Sequence, residues 1–193
     1  AEQNSDVNIQ SGQNLYHIAE LAFASFKGPL TVVMPNPRRI DSFAFKDVDC
    51  NAGTAVCSFT SEALTGQNTL GVIGAEAFNR FHGDITLSGI YPRLGYFAYA
   101  AFADAKSVGI GSVAPQLHLI GNNAFAKVKH VQFAGRYKRL TDIGNSAFEN
   151  TGNTVQQDQE SVVELTDAAV ETVGNQAFAG FAGTVTFSGN YLR

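Results

Sequence analysis

Arginine and tyrosine recur together at one spacing in this sequence. Gly89-Ile90-Tyr91-Pro92-Arg93, Gly135-Arg136-Tyr137-Lys138-Arg139 and Gly189-Asn190-Tyr191-Leu192-Arg193 share the pattern Gly-x-Tyr-x-Arg. A guanidinium is a planar fork of donors that fits carboxylate, sulfate or phosphate, and a tyrosine face suits sugar rings or partner side chains. Arg38 and Arg39 fall at a comparable place, so six of the seven arginines belong to one kind of segment, with Arg80 the exception. The candidate binding residues are Tyr91, Arg93, Tyr137, Arg139, Tyr191 and Arg193, expected to align as one exposed ridge. The competing reading of the same residues is that each Tyr packs against its neighbours while each Arg is merely solvated.

Other chemistry-bearing patterns are weaker. His17, His82, His118 and His130 lack the H-x-x-x-H and H-E-x-x-H spacings of zinc sites. Val108-Gly109-Ile110-Gly111-Ser112-Val113-Ala114 contains a G-x-G-x-x-A match, but a dinucleotide fingerprint must open a helix, and this one runs into Pro115. Asp47-Val48-Asp49-Cys50-Asn51 begins like a calcium loop, yet the sixth and twelfth positions hold Ala52 and Ser58 instead of Gly and Glu. No G-x-S-x-G or comparable nucleophile context exists. The sequence therefore names no catalytic residue, no metal ligand and no cofactor. Cys50 and Cys57 are the only cysteines. In an exported protein they are expected to pair, closing an eight-residue loop that contributes about 2.5 kcal/mol in the chain-entropy model. The alternative is two free thiols.

The elements that position these residues follow from a repeat. Phe occurs 15 times, Met once and Trp never, a skew that signals one aromatic reused at one kind of position. Ile-Gly-x-x-Ala-Phe appears as Ile73–Phe78, Ile120–Phe125 and Ile143–Phe148, and as Val173–Phe178 with Val in first place. Looser copies end at Phe23, Phe45 and Phe102. The seven anchors are spaced 22, 33, 24, 23, 23 and 30 residues apart, which is one unit with two insertions, near 46–69 and 152–161. After the anchor, Ile85-Thr86-Leu87 alternates as a half-buried strand. The Ala-Phe segment is too short for an independent helix and reads as a turn or a single helical turn. The predicted fold is a mostly β solenoid of about seven ~23-residue rungs carrying a short-stranded parallel sheet.

At the Ile-Gly-x-x-Ala-Phe residues the sequence resembles BspA-like leucine-rich repeat proteins, which are bacterial surface and secreted proteins also found in some protozoa. Their unit reads roughly Ile-Gly-x-x-Ala-Phe-x-x-Cys-x-x-Leu-x-x-Ile-x-Ile-Pro. The resemblance covers residues 15 to 193. Here the family's Cys is replaced by Phe26, Phe81, Ala105, Val128 and Phe181, and only Pro35, Pro92 and Pro115 match its proline. The resemblance implies cell-surface display or secretion, with adhesion or host interaction and no catalysis.

Residues 1–193 are expected to form one domain with a lead-in at 1–14. The start at Ala1 and the stop at Arg193, where another repeat would begin, suggest a piece of a longer protein. Net charge is −4 with 13 Lys and Arg, which argues against nucleic acid as partner. No apolar run approaches the ~20 residues of a membrane helix, so no membrane insertion is expected. The expected function is non-catalytic binding of a protein or glycan ligand; the alternative is a structural spacer within a longer cell-surface protein.

Overall fold

A computed structural model describes residues 7–10, 15–50, 57–63, 69–152 and 160–189. Among them the chain winds as a parallel β-solenoid of about seven turns with no helix. Eight longer strands stack in chain order into one sheet: β1 (Val7–Gln10), β3 (Leu30–Val33), β5 (Cys57–Ala63), β7 (Asp84–Ile90), β9 (Ser107–Val113), β11 (His130–Arg136), β13 (Ser161–Thr166) and β15 (Gly183–Ser188). Seven two-residue strands form a second sheet: β2 (His17–Ile18), β4 (Arg39–Ile40), β6 (Val72–Ile73), β8 (Tyr96–Phe97), β10 (Leu119–Ile120), β12 (Asp142–Ile143) and β14 (Thr172–Val173). The Ile of Ile-Gly lies on these short strands, which aim Ile40, Ile73, Ile120 and Ile143 into the core.

The Ala-Phe segment is a corner of successive turns, and its backbone explains why it does not become a helix. In every rung two residues adopt left-handed φ, four apart, as at Glu76 (φ 53) and Arg80 (φ 54) or Asn123 (φ 57) and Lys127 (φ 60). The resulting alternation sends every second N–H to the next rung. Glu76, Phe78 and Arg80 donate to the carbonyls of Tyr99, Ala101 and Ala103, while Ala77, Asn79 and Phe81 close local turns onto Gly74, Glu76 and Phe78. The corner is thus a third hydrogen-bonded ladder, and the backbone polar groups are satisfied without helix or regular strand. Left-handed φ costs an L-residue about 1–2 kcal/mol, and in the last rung Gly180 takes the place Lys127 holds two rungs earlier. Lys127 is exposed, so Lys127→Gly should raise stability by about 0.5–1 kcal/mol after the entropic cost of glycine. A lower midpoint of chemical unfolding would contradict that strain.

The anchors build the core. Phe23, Phe45, Phe78, Phe102, Phe125, Phe148 and Phe178 form one continuous column of rings, with neighbouring centroids 4.9–5.5 Å apart and planes within 18° of parallel. The five inner rings are fully buried. Offset stacking of this kind adds to the burial energy, and the small Ala before each Phe lets one corner sit directly on the next. The glycine after Ile serves the same approach. A Cβ on Gly144 would lie 2.6 Å from the backbone N of Asn122, and one on Gly174 2.5 Å from that of Asn145. Beside these glycines a short asparagine ladder forms, with Asn122 Oδ1 accepting from Asn145 N and Asn145 Oδ1 from Asn175 N, each at 2.8 Å.

The longer interval between Phe45 and Phe78 is not one loop. Strand β5 lies inside it, paired with β3 and β7, so the extra residues divide before and after a regular strand. Periodicity of the Phe anchors alone does not reveal that, because the inserted length is counted between anchors. In the later interval Gly152 still belongs to the corner and Ser161 already begins β13. The G-x-G-x-x-A match falls within and just beyond β9, not at the mouth of a helix.

Candidate functional site

Three successive rungs leave the longer sheet through the same turn. Strands β7, β9 and β11 are in register, with Gly89 beside Ser112 beside Gly135. Continuing that register aligns Tyr91 with Ala114 and Tyr137, and Arg93 with Gln116 and Arg139. Each turn closes on an N–H that reaches back three residues: Leu94 to Tyr91, Leu117 to Ala114 and Leu140 to Tyr137. Leu94, Leu117 and Leu140 are buried, whereas Arg93, Gln116 and Arg139 are exposed. The turns are also tied rung to rung, through Tyr91 N to Val113 O, Ala114 N to Arg136 O and His118 N to Gly95 O. The side chains they present therefore stand on fixed backbone at ~4.8 Å per rung.

The tyrosines do not join the arginines at the surface. Tyr91 and Tyr137 are completely buried, which corrects the expectation of an exposed aromatic ridge. Tyr91 donates its hydroxyl to Ser61, with the backbone O and Oγ both at 2.9 Å. Burial pushes the Tyr137 phenol well above its ordinary pKa, offset only in part by the Ser112 hydroxyl. Two large rings bracket Ala114, so bulk alternates large, small, large along the column. Strand parity places the ring inward: Ile85 and Leu87 face the core, and a count of two per step continues through Gly89 to Tyr91. The turn at Leu94 then breaks the parity and swings Arg93 outward.

Arg93, Gln116, His118 and Arg139, with Pro92 and Gly95, line an open surface groove of about 580 Å³. Arg139 Nη1 donates to Gln116 Oε1 at 2.7 Å, and Arg93 makes no ion pair among the described residues. Among the described residues no carboxylate lines this groove. His118 meets the exposed ring of Tyr96 edge to face, with centroids 6.3 Å apart. Gln116, His118 and Tyr96 escape a search for repeated Tyr and Arg because they occupy equivalent positions with different residue types; strand register finds them.

The remaining candidates separate from this groove. Tyr191 and Arg193 lie outside the described residues. By strand register Arg38 and Arg39 align through Gly71 and Val72 with Gly95 and Tyr96, two rungs on, and not with Arg93. Arg38 lies over the ring of Tyr16 at 4.5 Å, and Arg39 bonds Asp41. Burial alone would raise the Asp41 pKa, but hydrogen bonds from His17 and Arg39, and their charges, hold it below the ordinary aspartate value. Arg38, Arg39 and Asp41 line a second groove, of about 700 Å³, with Gly71, Gly74 and Tyr96. Asp47 faces Arg80 at 3.2 Å and Asp49 faces His82 at 3.4 Å, so both carboxylates of the calcium-like segment hold rungs together. Cys50 is disulfide-bonded, and the side chain of Cys57, the other cysteine of the sequence, lies outside the described residues.

The model of the BspA type leucine rich repeat region matches residues 52–182 in six copies. The phenylalanine column extends the same architecture back through Phe45 and Phe23, ahead of the matched residues. No curated protein and no solved structure matches the chain.

Proposed function

Because the chain belongs to the BspA-type leucine-rich repeat family, generally a family of surface or secreted proteins, we propose that it is a non-catalytic, exported interaction module. It takes a protein or glycan ligand at the Arg93–Gln116–Arg139 row. The observation that carries this reading is a groove with two guanidiniums on fixed turns and, among the described residues that line it, no carboxylate to neutralise them. A chain of net charge −4 thereby gains a local positive field that its total conceals. The groove offers cationic and neutral groups but no nucleophile beside a base, which favours binding over catalysis.

Screening protein and glycan arrays with the parent and with an Arg93→Ala/Arg139→Ala double variant tests the reading. The parent should retain a ligand that the double variant loses. Unfolding of the variant should stay within about 0.5 kcal/mol of the parent, as for exposed positions generally. Tyr91 and Tyr137 are left intact because their truncation would open the core. A variant that binds as the parent does reduces the row to scaffold.

The burial of Tyr91 and Tyr137 favours a second reading, a structural spacer in a longer surface protein, since packing alone then explains the recurring tyrosine. Export also bears on the cysteines. We propose that Cys50 and Cys57 pair in the secreted protein, so thiol titration under denaturing, non-reducing conditions should find none free. Two free thiols would sink the pairing.

A further inference from the structure

We propose that the ligand of this groove is a linear polysaccharide that alternates acidic and neutral sugars and lies along the solenoid axis. The proposal rests on the groove being the contact surface and adds the chemistry of what fills it. The row reads cation, neutral amide, cation across consecutive rungs, Arg93, Gln116, Arg139. At ~4.8 Å per rung the backbone positions that carry Arg93 and Arg139 stand ~10 Å apart, about the length of a disaccharide unit. An anionic group on every second sugar would meet each guanidinium in turn. The sugar between them would face Gln116 and His118, which offer an amide and an imidazole for hydroxyl groups.

Three features favour a glycan over an acidic protein surface. Among the described residues the groove walls contain one apolar side chain, that of Pro92, whereas stable protein interfaces bury an apolar core of much larger area. Tyr96 lines the second groove, is 37% exposed and meets His118 of this groove edge to face, so its ring borders the sugar that His118 faces. Arg139 is already oriented by Gln116 through one nitrogen, leaving its remaining donors for an anion on fixed geometry. The guanidinium forks accept carboxylate or sulfate alike; a carboxylated and a sulfated probe separate these two sources.

The experiment uses the full chain and four probes: a polymer alternating uronate with neutral amino sugar, its sulfated counterpart, a polyuronate charged on every residue, and polyglutamate. Binding is measured by calorimetry at low and physiological salt. At least one alternating polymer should bind more tightly than the polyuronate and the polyglutamate, and added salt should weaken it. Arg93→Gln and Arg139→Gln should each weaken it about two- to fivefold, as expected for loss of one exposed charge pair. Tyr96→Ala should weaken it without changing the salt dependence. If the polyuronate or polyglutamate binds equally well and the arginine variants still abolish binding, the alternating-glycan proposal is wrong while the groove stands. If none of the four probes binds, the proposal is also overturned. Binding that is indifferent to both arginine variants overturns the groove itself.

Discussion

Phe102→Ala should lower the stability of the solenoid by about 3–5 kcal/mol, the range for deleting a buried aromatic from a packed core. Phe102 is fully buried. Its ring stacks on Phe78 at 5.5 Å and on Phe125 at 4.9 Å, and meets Phe97 edge-on at 5.6 Å. Truncation therefore removes contacts on three sides and leaves a void between rungs that are pinned by their backbone ladders and cannot collapse. Phe23 occupies the same position in the first rung but is only partly buried and, among the described residues, stacks on Phe45 alone. Phe23→Ala should cost distinctly less. Equilibrium urea unfolding of the two variants makes the comparison, and equal losses would show that the column is not the central element of the core. Because each rung of a solenoid contacts only its neighbours, the central substitution also interrupts coupling between the two halves.

Gly135→Ala should cost about 3 kcal/mol or more, whereas Gly111→Ala, one strand away, should raise stability by about 0.5 kcal/mol. A Cβ on Gly135 would lie 2.0 Å from the carbonyl oxygen of Ser112 and 2.6 Å from the Tyr137 hydroxyl. Neither neighbour has room to yield, since Ser112 is bonded into the ladder and Tyr137 is enclosed. The strain belongs to overpacking at its upper end. Gly111 has nothing within 4 Å of its would-be Cβ, so alanine there only reduces the freedom of the unfolded chain. Both glycines sit in seven-residue strands of the same sheet. Thermal unfolding of the two variants should move in opposite directions, and a shared direction would refute the seating of Tyr137 against the Gly135 backbone.

Much of the fold was legible because solenoids are written in the first dimension. Seven Phe anchors at near-equal intervals can be stacked only one way, and equal positions must superpose. The corner escaped full description, since nothing about Leu21, Glu76 or Lys127 as residue types announces left-handed φ; the hydrogen bonding of stacked rungs imposes it. The position of β5 inside the first long interval was likewise hidden, because an anchor-to-anchor count does not say where inserted residues go.

The site divides in the same way. The sequence by itself determined the repeat, the inward Phe column, the parallel β architecture and the recurrence of Arg93 and Arg139 at one place in the unit, since each depends only on residue type recurring at a fixed spacing. Only the tertiary structure decided that Tyr91 and Tyr137 point inward while Arg93 and Arg139 point out, and that Gln116 and His118 complete their groove. The reason is physical. Tyrosine is stable either in a core with its hydroxyl bonded or at a surface with its face exposed, so its type does not choose. The side it takes was set by strand parity up to residue 91, by the turn that breaks this parity before Leu94, and by the space that Ala114 leaves between two rings.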